Sequence, residues 1–288
     1  MAVTKNSPIV STDWLFEHLE APDIVVVHAV LAFEKTLEEL TAEYDNGRIP
    51  SAVMFDVDVV ADSNDPLPHM LPPAEKFSSM MRKMGIGDGQ RIVVYDTSGN
   101  FCASRVWWMF KTFGVEDVCV LDGGLPKWIA EGKPLADGEP RPRQERHFTA
   151  RFQSMGVRDM DDVRQAVQSG PSQGGDQVID ARSSDRFTAK EKETRDGLRS
   201  GHMPNALNVY YKDTMNENAT MKTAQELKAL FEAAGVDLKK PTITTCGSGV
   251  TAAILTLGLE IAGHKASAVY DGSWTQWGAV PENDVVEG

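Results

Sequence analysis

Apolar residues in this chain fall into two kinds of run that alternate along its length. Short β-branched or apolar runs at positions 24–27, 53–57, 91–95, 118–121, 177–180 and 242–245 are flanked by turn-forming residues. Runs of four or five such residues suit buried strands. Between them, positions 11–19, 37–44, 73–84, 102–113 and 160–168 carry apolar residues at helical spacing, and 252–262 is almost wholly apolar. These segments predict helices, with Gly85 and Gly114 as stops. Short strands alternating with helices predict an α/β fold in which parallel sheets are flanked by helices.

The pattern occurs twice. Gly47-Arg-Ile-Pro-Ser-Ala52 parallels Gly201-His-Met-Pro-Asn-Ala206, an offset of 154. Asp96 parallels Cys246 at 150, and Trp128 parallels Trp277 at 149. Steady offsets over most of the chain imply two copies of one unit. Residues 1–139 are read as the first copy and 156–288 as the second. Positions 140–155, Pro-rich, charged and aperiodic at their start, are read as the linker.

Composition narrows the function. The 288 residues are 41% hydrophobic and 25% charged, as in globular proteins, and carry a net charge of −13. That charge argues against nucleic-acid and anionic-membrane partners, although a few local arginines can still hold a small anion. Three cysteines, Cys102, Cys119 and Cys246, match no metal-ligand spacing. With no apolar leader and no membrane-length run, a cytoplasmic protein is expected.

Candidate chemistry centres on Pro241-Thr-Ile-Thr-Thr-Cys-Gly-Ser-Gly-Val-Thr251. Here a strand ends on Cys246, Gly247 and Gly249 permit a sharp turn, and a helix begins near Val250 or Thr251. In an open α/β sheet ligands bind at such strand ends, and a helix N-terminus favours thiolate over thiol. Most cysteines are small buried hydrophobes. Against that reading stands Asp96 at the matching place in the first copy, because aspartate is a poor substitute for core. One copy kept chemistry and the other lost it.

The tandem units and the Cys246–Thr251 loop, with Asp96 in the first copy, resemble the two-domain rhodanese-like sulfurtransferases. So do His69-Met-Leu-Pro, Arg105-Val-Trp-Trp-Met-Phe, Asp122-Gly-Gly, Asp180-Ala-Arg, Arg186-Phe and Arg195-Asp-Gly. Within the family the likeness is to the branch that takes sulfur from 3-mercaptopyruvate. The resemblance implies a Cys246 persulfide, passed on to cyanide, a small thiol or thioredoxin, with no metal or organic cofactor. It places Arg186 and Arg195 at the donor carboxylate and the backbone of Gly247, Gly249, Val250 and Thr251 around the sulfur. It also implies a relay from Ser248 to His69 to Asp58, with the latter two reaching the cysteine from the first domain. The uncharged loop after Cys246 disfavours a dianion held at the sulfur itself, so thiosulfate is the alternative donor. A sulfur-carrier or regulatory thiol module without turnover is the other reading. A cysteine phosphatase needs arginine where Ala252 stands. Trp107, Trp108, Trp128, Trp274 and Trp277 are read as packing and His202 as a brace for its turn. His28, where the second copy has Asp180, is expected to alter a local cap or domain contact. A monomer is the default expectation.

Overall fold

A computed structural model describes residues 7–33, 35–170 and 174–288. The chain divides into two compact units. The first comprises residues 1–65, 71–153 and 217–220, and the second residues 66–70, 154–216 and 221–288.

In the first unit, strands β1 (Ile9–Val10), β2 (Ile24–Val30), β3 (Val53–Asp56), β4 (Arg91–Tyr95) and β5 (Val118–Leu121) form one sheet in the order β1-β5-β4-β2-β3. All its pairings are parallel. Helices α1 (Thr12–His18), α2 (Leu37–Asn46), α3 (Val57–Val60), α4 (Ala74–Lys83), α5 (Ala103–Thr112) and α6 (Gly124–Ala130) connect them. The second unit repeats the topology. Strands β6 (Val157–Arg158), β7 (Gln177–Asp180), β8 (Leu207–Asn208), β9 (Thr242–Thr245) and β10 (Ser267–Tyr270) run in the order β6-β10-β9-β7-β8. Its helices are α7 (Met160–Ser169), α8 (Ser184–Phe187), α9 (Ala224–Ala233), α10 (Ala252–Ile261) and α11 (Ser273–Trp277). The near-continuous apolar strands follow from this topology, since a parallel sheet with helices on its faces is buried on both sides. β4 and β9 are central in their sheets, so Asp96 and Cys246 emerge at equivalent strand ends.

Local chemistry sets several boundaries. The Asp56 carboxylate accepts from the backbone N–H groups of Asp58 and Val59, which ends β3 and starts α3 one residue before the expected limit. Thr36 with Glu39, and Thr223 with Glu226, close capping boxes on α2 and α9. The five tryptophans read as packing are all buried. No described helix is long and apolar enough to cross a membrane.

Residues 140–153 are not a free connector but lie against the first unit. Backbone bonds join Asp88 to His147 at 2.9 Å, Arg151 to Phe113 at 2.9 Å and Gln153 to Thr112 at 2.8 Å. Phe148, 1% exposed, anchors the segment against Phe77. One anchoring aromatic leaves no periodic signal in a Pro-rich stretch, so composition alone suggested a linker.

His28 does remove a local cap, since in the second unit Asp180 Oδ1 accepts from the Arg182 backbone N–H at 2.9 Å. In the second unit Asp180 and Arg182 form a buried bidentate pair. In the first, His28 and Val30 stand in their places, so both charges are gone together. His28 extends β2 and packs between Tyr44 and Tyr95, with ring centroids 5.4 and 4.6 Å away. It is 1% exposed and neither ring nitrogen has a hydrogen-bond partner among the described residues. Burial, with a smaller push from Arg48, lowers its pKa from 6.5 to about 4. The folded state thus holds His28 neutral, while the unfolded chain takes up a proton below pH 6.5. Its contribution to stability is full above that pH and is lost as pH falls towards 4, by up to about 3 kcal/mol. His28→Phe is expected to remove this component. In urea unfolding from pH 7 to pH 4, the stability of the variant relative to the parent should rise as pH falls; a constant difference would refute the assignment.

Candidate active site

β9 delivers Cys246 to the end of the second sheet. A bond of 2.8 Å between the Thr244 and Thr256 hydroxyls ties that strand to α10. The turn between them contains Gly249 at φ 78°, a left-handed conformation that favours glycine. α10 begins at Ala252 with Thr251 as its cap, one or two residues later than expected. Cys246 is a free thiol and 2% exposed. Its N–H donates to Ser273 Oγ at 3.2 Å, and its carbonyl accepts from Trp274 N–H at 3.0 Å. Ser273 Oγ donates in turn to the Tyr270 carbonyl. Ser273 is fully buried at φ 47°, where its first-unit counterpart is Gly124 at φ 55°. A non-glycine residue in this region stores strain, and such strain clusters at functional sites.

The first unit demonstrates what this loop geometry holds. The buried Asp96 carboxylate occupies the loop that Cys246 opens in the second copy. One of its oxygens accepts from Ser98 N–H at 3.0 Å. The other accepts from the N–H groups of Cys102 and Ala103 at 2.9 Å each, at the start of α5. A strand end facing a helix N-terminus is thus an anion cradle in this fold, here filled by the chain's own side chain. The thiols of the other two cysteines are not held in a cradle of this kind. Burial and the nearby Asp96 push the Cys102 thiol well up, and burial pushes Cys119 up to about 12. Both stay protonated and donate to carbonyls, of Ala29 and Ile92 respectively.

Arg195 lies directly on the Cys246 loop. A Cβ built on Gly247 would come within 3.1 Å of its Nη1 and 3.3 Å of its Nη2. The same Nη1 donates to Thr275 Oγ1 at 3.1 Å, and Thr275 Oγ1 donates to the Gly247 carbonyl at 2.7 Å. Glycine at position 247 lets the guanidinium approach this closely; a side chain there would push it back by a few tenths of an ångström. Arg186 Nη2 donates to Glu193 Oε2 at 2.7 Å, while Glu193 Oε1 accepts from the backbone N–H groups of Thr194 and Arg195. The Glu193 side chain is 2% exposed. Burial alone would raise its pKa, but the bonds and charge of Arg186, with Arg195, hold it below the ordinary value.

Ser248 and Val250 are buried in the loop and Thr251 is half-buried. The family resemblance has His69 reaching this loop from the first domain. His69 is nevertheless in the unit of Cys246, because residues 66–70 group there. Prolines at 66 and 68 keep that segment out of regular helix or sheet. Residues 217–220 mirror the arrangement by grouping with the first unit. Ala219 is the counterpart of His69, and both adopt left-handed backbone, at φ 61° and 63°. Ala219 packs closely on Gly99 of the Asp96 loop, 2.2 Å from where a Cβ would stand. Asp58 remains in the first unit, exposed on α3.

The rhodanese-like domain family matches the chain twice, at residues 11–131 and 159–280. The chain belongs to the rhodanese-like family. A 3-mercaptopyruvate sulfurtransferase of Escherichia coli strain K12 is 42% identical over 271 residues, covering 94% of both chains. A human protein of the same name is 36% identical over 288 residues, covering 97% of this chain and 95% of its own. Among solved structures, SseA from Escherichia coli superposes with a TM-score of 0.83 at 40% identity, over 93% of this chain and 99% of that one. It is described as a 3-mercaptopyruvate sulfotransferase with the rhodanese fold.

Within this rhodanese-like site four residues escaped the sequence reading. Ser273 and Thr275 brace the loop, Glu193 joins the two arginines, and Tyr211 lies near enough to feel the charge of Cys246. Burial is the main cause of the raised Tyr211 pKa, with Cys246 a lesser one. Only Ser273 had a signal, as the polar partner of Gly124 in the repeat. His202 does brace its turn. It stacks on Phe187 at 3.7 Å and pairs with Val286 as Arg48 pairs with Ala136.

Proposed function

We propose that this chain is a 3-mercaptopyruvate sulfurtransferase working through a Cys246 persulfide. The observation that carries the reading is Arg195 lying on the uncharged Gly247–Val250 loop. It puts cationic recognition beside the nucleophile and none on the loop itself. That suits a donor whose carboxylate lies two carbons from its sulfur. The planar forks of Arg195 and Arg186 match a carboxylate.

The Cys246 thiolate attacks the donor sulfur. A sulfur–sulfur bond forms, the donor carbon–sulfur bond breaks, and its electron pair leaves on carbon as the pyruvate enolate. The donor thiol proton ends on that carbon, giving pyruvate and a Cys246 persulfide anion. The loop N–H groups and the N-terminus of α10 stabilise the thiolate and then the persulfide. His69, with Ser248, handles the proton. The motive for His69 is its strained backbone and its grouping with the unit of Cys246. A thiol or cyanide acceptor removes the outer sulfur and restores the thiolate; thioredoxin is a candidate acceptor. The protein works as a monomer, in the cytoplasm.

The test is pyruvate release from 3-mercaptopyruvate with a small thiol as acceptor. Turnover is expected, with kcat/KM above that for thiosulfate and cyanide; no turnover, or the reverse order, would discard the reading. Two kinetic signatures should separate the roles. Arg186→Ala and Arg195→Ala should raise KM about tenfold or more, with smaller losses in kcat. His69→Ala should lower kcat about 10²-fold, the usual scale for a proton-transfer group, with KM little changed. A His69→Ala effect confined to KM would remove it from the proton path.

A further inference from the structure

Among the described residues, Glu193 is a charged side chain paired with Arg186 that the sulfur chemistry does not use. It is also in an unusual place, since it puts an anion where the arginines are to bind another anion. Its two oxygens do different work. Oε2 takes the Arg186 guanidinium at 2.7 Å, and Oε1 takes the Thr194 and Arg195 backbone N–H groups at 3.1 and 3.3 Å. Its own N–H donates to Ser200 Oγ at 2.9 Å, which fixes the backbone at this corner. Every group aimed at the carboxylate is a donor, so only an acceptor on both oxygens satisfies the set. An amide would turn an NH₂ towards donors on one side.

We propose that Glu193 is a specificity-determining residue that sets the charge of the donor subsite. With Arg186 and Arg195 both cationic, Glu193 reduces the cluster from two positive charges to one. A single net charge matches a monocarboxylate thiol. Two would favour a dianion such as thiosulfate. The same carboxylate fixes the angle of the Arg186 fork, and a planar carboxylate depends on that angle more than a tetrahedral oxyanion does. Loss of the charge and loss of the orientation therefore shift selectivity the same way, towards dianions. One unit of charge several ångströms away, at an effective dielectric of about 20 to 40, corresponds to roughly a tenfold change in preference. The inference rests on the donor reading above, and its test is designed to fail separately.

Glu193→Gln removes the charge at nearly constant volume, and Glu193→Asp keeps the charge while disturbing the fit. Cys246 is alkylated with the neutral reagent iodoacetamide, and protection is titrated with pyruvate, a monoanion, and with sulfate, a dianion. No turnover is needed for this measurement. In Glu193→Gln the ratio of sulfate to pyruvate affinity should rise about tenfold, and kcat/KM for thiosulfate relative to 3-mercaptopyruvate should rise with it. Glu193→Asp should hold both ratios within about twofold of the parent, whatever its absolute KM. If Gln and Asp variants behave alike, or the ratios stay at the parental value in Glu193→Gln, the assignment is overturned. Failure of pyruvate to protect the parent protein would instead sink the donor reading. Unfolding melts of all three proteins exclude misfolding as the cause of a shift.

Discussion

Cys246→Ser is expected to reduce pyruvate release from 3-mercaptopyruvate by at least about 10³-fold, to the background of the free reagents. The argument is one of chemistry at nearly constant shape. A serine hydroxyl is not ionised by an N–H cradle that suffices for a thiol of ordinary pKa near 8.5. Nor does oxygen accept and return a sulfane sulfur reversibly. The side chain is buried and the backbone bonds to Ser273 and Trp274 do not involve sulfur, so the fold should survive. Thermal unfolding within about 2 °C of the parent, with activity gone, is the expected pair of results. Mass spectrometry adds a second readout. The parent, exposed to the donor without acceptor, should gain one sulfur on the peptide containing Cys246, and the variant none. Persulfide on the parent with no transfer to any small acceptor would favour a carrier module over an enzyme.

The second large effect is on stability. Arg182→Ala should destabilise the second unit by about 3–5 kcal/mol, the range for leaving one half of a buried pair uncompensated. Asp180 is 1% exposed and takes both Nε and Nη2 of Arg182; the same Nη2 also donates to the Gly201 carbonyl at 2.7 Å. The guanidinium lies 4.3 Å from the Trp274 ring, and Trp274 N–H holds the Cys246 carbonyl. The variant should therefore melt about 10 °C lower or more. Adding Asp180→Asn to Arg182→Met should recover part of the loss, because it removes both charges together, as His28 and Val30 do in the first unit. A cost under about 1 kcal/mol for Arg182→Ala would contradict this account.

Much of the fold was legible because strand length and helix period are local properties. The strands 91–95, 118–121, 177–180 and 242–245 appear with the expected limits. The repeat was legible because both copies keep the same turn residues. The edge strands β1, β6 and β8, two residues each, were not, since two residues carry no period. Within the site, Cys246 could be found from the glycines around it and from Asp96 in the other copy. Arg186 and Arg195 needed family resemblance, because a surface arginine and a ligand arginine look the same in a polar stretch. Glu193 was invisible for a similar reason. Lys190-Glu-Lys-Glu193 reads as a solvated charge run, and only the fold reveals that one of its carboxylates is buried.

Asp96 has a thermodynamic consequence for the duplicated chain. A ligand that is part of the chain competes with solutes at an effective concentration far above any free anion, since its translational entropy is already lost. The first loop is therefore saturated by its own tether at every physiological anion level. Pyruvate or sulfate titrated into this protein by calorimetry should reveal a stoichiometry of one per chain at the rhodanese-like loops, despite two copies of the loop.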